Sequence, residues 1–287
     1  MFDALGLPGS QRTPRILANR VVSVPASQEI TLDPARFRND SKLPLFLTRF
    51  ALWVGTTENA ALSSVYTRFN LPAIAPKQGM VHHVAVSDLP NGRALNSCTL
   101  CEWQFKRPFM VLPGESVSVQ VLNLYTSALN VSVGLFGFTE SRPAPQKMRY
   151  VPAALYNQTI ALSGALTTEI PEAGMSNDGA PMLLDENVLA IRDVTESSTT
   201  DTETASGGGL HVMTIRAFGY DAMIAPVATH GISPRGVART YPEGMLLPGL
   251  SRIPPGGAMS ARVDWYAALT ADTRISWAVF GAKELPL

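Results

Sequence analysis

Val111-Leu112-Pro113-Gly114-Glu115-Ser116-Val117-Ser118-Val119-Gln120-Val121 returns later in the chain as Ile253-Pro254-Pro255-Gly256-Gly257-Ala258-Met259-Ser260-Ala261-Arg262-Val263. In each copy a Pro-Gly precedes a run of period-two alternation. Val117, Val119 and Val121 share one face of a strand, and Ser116, Ser118 and Gln120 share the other. Proline fixes φ and glycine accepts a positive φ, so both copies predict a tight turn feeding a strand. A second segment travels with the first: Val133-Gly134-Leu135-Phe136-Gly137-Phe138-Thr139-Glu140 returns as Trp277-Ala278-Val279-Phe280-Gly281-Ala282-Lys283-Glu284. The repeat distance of about 140 residues is too long for a solenoid unit and fits two whole domains fused in tandem.

Residues 130–136 alternate like the strand before them and are expected to pair with it as a hairpin across 125–129. Residues 259–265 and 274–280 are expected to form the same hairpin in the second copy. Further strands are expected at 20–24, 29–32, 45–54, 81–87, 94–106, 159–162, 182–185, 210–220 and 224–228, with a short helix near 57–66. Several short strands, an irregular middle and a closing hairpin make the profile of a β-sandwich or jelly roll rather than of a βαβ protein.

Upstream, Thr31-Leu32-Asp33 reads as the counterpart of Leu183-Leu184-Asp185, and Leu47-Thr48-Arg49-Phe50-Ala51-Leu52 as that of Met213-Thr214-Ile215-Arg216-Ala217-Phe218. The offset grows between these pairs, so 195–209 (TESSTTDTETASGGG) reads as a surface loop inserted into the second copy. The proline-rich, basic stretch 142–152 reads as the interdomain linker. The expected organisation is an all-β chain of two tandem jelly-roll barrels arisen by internal duplication. Residues 1–145 form the first barrel with an N-terminal arm, and 146–287 form the second barrel with the inserted loop.

At 287 residues the chain has room for two self-sufficient cores. Its 23 basic and 23 acidic residues give a formal charge of zero, so no strong field draws it to nucleic acid or an anionic membrane. Charged residues make up 16% against 46% hydrophobic ones, a thin polar cover that points to surface lost to partners. Arginine outnumbers lysine 18 to 5, which suits contacts buried between subunits, although a GC-rich genome gives the same bias. No apolar run reaches the length of a membrane-spanning helix, and the N-terminus lacks the apolar core of a secretory signal.

Motifs for chemistry are missing. The chain has no G-x-S-x-G elbow, phosphate loop, dinucleotide turn or H-E-x-x-H. Cys98 and Cys101, beside Trp103, form a lone C-x-x-C; on a strand, residues three apart point to opposite faces, and the second pair of a zinc signature is absent. His82 and His83 are adjacent and diverge likewise, which disfavours the H-x-H pair of a two-domain cupin. His211 and His230 read as structural or solvated. Asp185, Glu186 and Asp193 have no spacing that selects a glycosidase pair, and Trp53, Trp103, Trp265 and Trp277 read as packing residues before sugar platforms. No catalytic, cofactor or metal residue is assigned.

With its repeated unit, exemplified by Phe109-Met110-Val111-Leu112-Pro113-Gly114, the chain resembles the double jelly-roll major capsid proteins of tailless icosahedral bacteriophages, the lineage that includes the adenovirus hexon. The resemblance is one of organisation and covers most of the chain. It implies a structural virion protein, a major capsid subunit whose homotrimers form pseudo-hexameric blocks that tile an icosahedral shell. It implies neighbouring capsomers and penton proteins as partners, and outward loops that meet host glycan. It also implies N-terminal residues turned toward genome or an internal membrane, where Arg12, Arg15 and Arg20 would suit contact. The competing reading is a tailed-phage head spike, decoration or receptor-binding protein built from jelly rolls; a bicupin-like enzyme ranks below both.

Overall fold

The computed structural model describes residues 7–73, 79–89, 93–193, 211–217, 220–222, 237–241 and 252–287. In chain order, the first half carries β1 (Arg12–Ala18), β2 (Val22–Val24), β3 (Gln28–Thr31), β4 (Leu45–Val54), helix α1 (Asn59–Leu62), β5 (Val65–Asn70), β6 (Val84–Ala85), β7 (Arg93–Leu95), β8 (Cys98–Val111), β9 (Ser118–Asn123) and β10 (Leu129–Glu140). The second half carries β11 (Met148–Ala161), β12 (Thr167–Ile170), β13 (Met182–Asp193), β14 (His211–Ala217), β15 (Tyr220–Ala222), β16 (Val237–Tyr241), β17 (Arg252–Ile253), β18 (Met259–Trp265) and β19 (Thr273–Pro286).

The strands form four sheets in two matched pairs. In the first half a six-stranded sheet runs β1-β10-β4-β8-β7, with β2 also on β10, opposite a four-stranded sheet β3-β9-β5-β6. In the second half a five-stranded sheet runs β11-β19-β13-β16, with β17 on β13, opposite a four-stranded sheet β12-β18-β14-β15. Counting β1 with β2, β7 with β8 and β16 with β17, each half has its first, last, third and sixth strands in one sheet and its second, seventh, fourth and fifth in the other. That order defines a jelly roll. The fold is a double jelly roll.

The topology corrects the expected hairpins. β9 pairs with β3 and β5, whereas β10 pairs with β1, β2 and β4, so the two strands lie in opposite sheets. β18 and β19 divide the same way. Val119 and Val121 face Val131, Val133 and Leu135 within one core, and a cross-sandwich corner produces the same alternation as a hairpin. Buried Asn123 holds the first corner, donating to the carbonyls of Val24, Pro25 and Ser127 while accepting from the Tyr125 amide.

The upstream alignment is corrected too. β4 is the third strand of its barrel and β14 the fourth of its own, so residues 47–52 and 213–218 are not counterparts; Leu47 corresponds instead to Leu184. Both third strands carry a register shift, between Leu47 and Arg49 against β8 and between Leu184 and Glu186 against β19. The glycine of each repeated Phe-Gly sits against its third strand. A Cβ on Gly137 would lie 2.1 Å from the Phe46 carbonyl oxygen, and one on Gly281 would lie 2.0 Å from that of Leu183. The connection from third to fourth strand spans 55–64 with α1 in the first barrel and 194–210 in the second. The loop 195–209 therefore falls in this longer connection, outside the described residues, as do His230 and the strand expected at 224–228.

Residues 142–152 are only in part a linker, because β11 begins at Met148 and includes Pro152. Pro152 pairs with Ala282 and Pro14 with Phe138. These are equivalent positions on the edge strands β11 and β1, where a missing N–H costs no ladder bond. Arg12 and Arg15 likewise belong to β1 rather than to an arm, and Arg12 donates to Glu140 at 2.7 Å.

The repeated Pro-Gly is explained by what it clasps. The Gly114 amide donates to the Asn39 carbonyl and the Asn39 amide to the Glu115 carbonyl; Gly256, Asn177 and Gly257 repeat both bonds. The buried Asn39 carboxamide donates to the carbonyls of Leu43 and Val111, and that of Asn177 to those of Ala180, Ile253 and Pro254. Gly114 and Gly256 take φ of +81° and +74°, a conformation that L side chains resist.

Candidate functional site

The densest set of unusual side chains lies in the seam between the barrels. Buried Val151, Ala154, Tyr156, Ala278 and Phe280, all from β11 and β19, belong to the core cluster of the first barrel. Ala154, Tyr156, Ala278 and Phe280 project from the outer face of the second barrel's sheet, since Ala153, Leu155, Trp277 and Val279 on the same strands face the second core. Phe280 meets Trp103 at a centroid distance of 4.9 Å, and Trp103 in turn contacts Phe69 and Phe105. The first barrel is thus open beside β8 and β5, and the second barrel's sheet closes it.

Polar ties ring this apolar centre. Arg107 on β8 pairs with Asp185 at 2.6 Å, and Lys106 donates to the Asp185 carbonyl at 2.5 Å. Arg149 donates to the Met110 carbonyl at 3.0 Å and clamps Glu115, whose carboxylate also accepts from the Leu112 amide in the Pro-Gly turn. The Tyr156 hydroxyl donates to the buried carboxylate of Asp88 at 3.1 Å, and that of Tyr66 to Gln158 at 3.2 Å. Burial, then the Asp88 charge, pushes both phenols above their ordinary pKa, Tyr156 well above, so each stays a neutral donor.

The residues weighed for chemistry are dispersed. Cys101 is buried in the first core and Cys98 is half-buried, both on β8. His82 and His83 precede β6 and are half-buried; the expected strand over 81–87 is only β6 followed by a 3-10 turn over Val86–Asp88. Burial is the main cause lowering both imidazole pKa values. Lys283 and Arg68 lower His82 further against Asp178, and Arg68 lowers His83 further against Glu29, 3.5 Å away. Asp185 is a seam clamp, and Glu186, Asp193 and His211 are placed by backbone alone in β13 and β14. Trp103 and Trp277 are fully buried, Trp265 donates to Thr168 at 3.1 Å, and half-buried Trp53 lies against Phe136. Among the described residues no group of three His, Cys, Asp or Glu side chains is gathered closely enough to hold a metal ion.

No family model matches the chain, and no curated protein matches it. Solved structures do. The major capsid protein P2 of bacteriophage PM2 aligns over 95% of this chain and 98% of its own, at 11% identity and a TM-score of 0.43. A chain of Sulfolobus Turreted Icosahedral Virus aligns over 96% and 91%, at 9% identity and a TM-score of 0.49. PNGase F, a glycosylasparaginase from Flavobacterium meningosepticum, also aligns, over 94% and 96% at 10% identity and a TM-score of 0.35. Strand order carries the fold assignment, and function has to be argued from this chain's own surfaces.

Sequence reasoning did not find the seam. Arg107, Arg149, Glu115 and Asp88 carry no motif, and nothing in the sequence links Trp103 to Phe280. The one available signal was the pairing of apolar residues on both faces of β11 and β19, which marks a sheet covered on both sides.

Proposed function

We propose that this chain is a structural, non-enzymatic virion subunit, the major capsid protein, whose trimers form pseudo-hexagonal blocks that tile an icosahedral shell. The observation that supports it is the covered sheet between two barrels of identical strand order, fixed side by side in one chain. Three such pairs supply six similar barrels, which is what a near-hexagonal building block needs. The division into barrels of residues 1–145 and 146–287 belongs to the same reading, supported by the end of β10 at Glu140 and the start of β11 at Met148. Contacts with penton proteins, with host glycan at exposed loops and with genome or an internal membrane near the N-terminus are its further expectations. Arg12 being engaged by Glu140, exposed Arg15 and Arg20 are the cations available there.

Light scattering and negative-stain microscopy of the purified protein test the reading. Trimers of the 30.8 kDa chain with a hexagonal outline, or closed shells, are expected. A monomer at every concentration would overturn it, and a trimer present in few copies per particle would favour the spike or decoration reading.

A further inference from the structure

Residues 79–83 lead into β6 and set two adjacent histidines against different bodies. Met80 anchors the segment, buried in the first core with its amide donating to the Phe69 carbonyl at 2.9 Å, and residues 81–83 belong to no strand. His83 turns to its own barrel. Its buried Nε2 has no well-formed hydrogen bond and faces the Glu29 carboxylate of β3 at 3.5 Å, while Arg68 of β5 lies 3.9 Å from the same carboxylate. His82 lies in the field of the second barrel. Asp178, in the connection from β12 to β13, and Lys283 of β19 act on it, followed by Arg68 and His83. Lys283 is 0% exposed and donates from Nζ to the Asp178 carbonyl at 2.5 Å, which fixes that cation at the junction. Two protons added here would set four cations, His82, His83, Arg68 and Lys283, against two carboxylates, Glu29 and Asp178.

We propose that His82 and His83 form an acid-operated latch at the junction of the barrels, whose protonation releases residues 79–83 from the second barrel and loosens the seam while both barrels stay folded. The latch lies beyond the shell reading, since it needs only the single chain. Burial is the first obstacle to charging either ring. Glu29 and Asp178 offset part of the repulsion from Arg68 and Lys283, and desolvation decides the sign. In the released segment water removes that cost, and each ring accepts a proton near the ordinary histidine value of 6.5. Below that value each proton taken up on opening raises the open fraction about tenfold per pH unit, until the folded rings titrate as well. The opening is local because residues 81–83 add no strand ladder to hold them.

Hydroxyl-radical footprinting of the full chain, read by mass spectrometry from about one pH unit above the ordinary histidine value to about one below it, tests the latch. Trp103 and Tyr156, 1% and 8% exposed at the seam, should gain oxidation about tenfold or more over the acid unit, while Trp277, 0% exposed in the second core, stays protected. A His82→Gln, His83→Gln variant should keep Trp103 and Tyr156 protected in acid. Without any variant, histidine-selective NMR of the wild type should show both rings titrating below 6.5. Seam oxidation that is flat with pH, or that rises equally in the double variant, would overturn the latch, as would rings that titrate at or above 6.5. Oxidation of Trp277 rising together with that of Trp103 would mean unfolding of the whole chain and would overturn it too.

Discussion

The two barrels share a strand order, an asparagine clasp and a glycine at the third-strand bulge, yet their cores are closed differently. The first core takes in Ala154, Tyr156 and Phe280 from the other barrel, whereas among the described residues the buried members of the second core all lie beyond residue 152. Identical topology therefore does not give identical dependence. The second barrel supplies a wall of the first, and Phe136 and Phe280, equivalent in sequence, differ because Phe280 is fully buried against the other barrel whereas Phe136 stays half-buried beside Trp53 and Arg49 of its own barrel.

Truncating each ring in turn should separate the two barrels most strongly. Phe280→Ala removes a fully buried side chain from the seam and should cost about 3–5 kcal/mol in urea unfolding, whereas Phe136→Ala in the dissociated monomer should cost about 1 kcal/mol or less. Equal losses would mean that the seam is not a true core. The clasps should instead behave alike. Asn39→Ala and Asn177→Ala each strand buried carbonyls and should each cost about 2 kcal/mol; a loss in only one would show that the duplicated turns are not energetically equivalent.

Smaller and again matched effects are expected at the turns. Gly114 and Gly256 have room for a methyl group, with no atom nearer than 4.0 Å, so alanine there meets only the backbone penalty, about 1 kcal/mol each by thermal unfolding. The smallest effect concerns pH and belongs to one barrel alone. His82 and His83 resist protonation in the fold, so the unfolded chain binds protons first as pH drops below the ordinary histidine value of 6.5. Their contribution is fully present above that value and is lost below it, as pH falls through the lowered values of the folded imidazoles. A shallower acid loss of the urea midpoint is expected for a His82→Gln, His83→Gln double variant, and an unchanged profile would place the acid response elsewhere.

How far the sequence could be read follows from the range of each interaction. The Pro-Gly turns and the valine alternation are local, and both were legible, as were the all-β class and the duplication. Whether alternating strands pair or face one another is a long-range matter, which is why β9 and β10 read as a hairpin. The first strands were missed because proline at an edge resembles a linker, although Pro14, Leu17 and Asn19 return with the same spacing as Pro152, Leu155 and Asn157. The third strands were misaligned because Thr48 and Asp185, at the two bulges, interrupt their alternation. The seam was illegible since its members, Trp103 and Phe280 or Arg107 and Asp185, meet only when both barrels are built.

The second barrel's sheet forms a wall of the first barrel's core. A cryo-electron microscopy map of the purified protein shows whether that wall is in place: the Phe280 ring should lie against Trp103, with Asp185 beside Arg107. Barrels set apart, with Phe280 and Trp103 facing solvent, would contradict it.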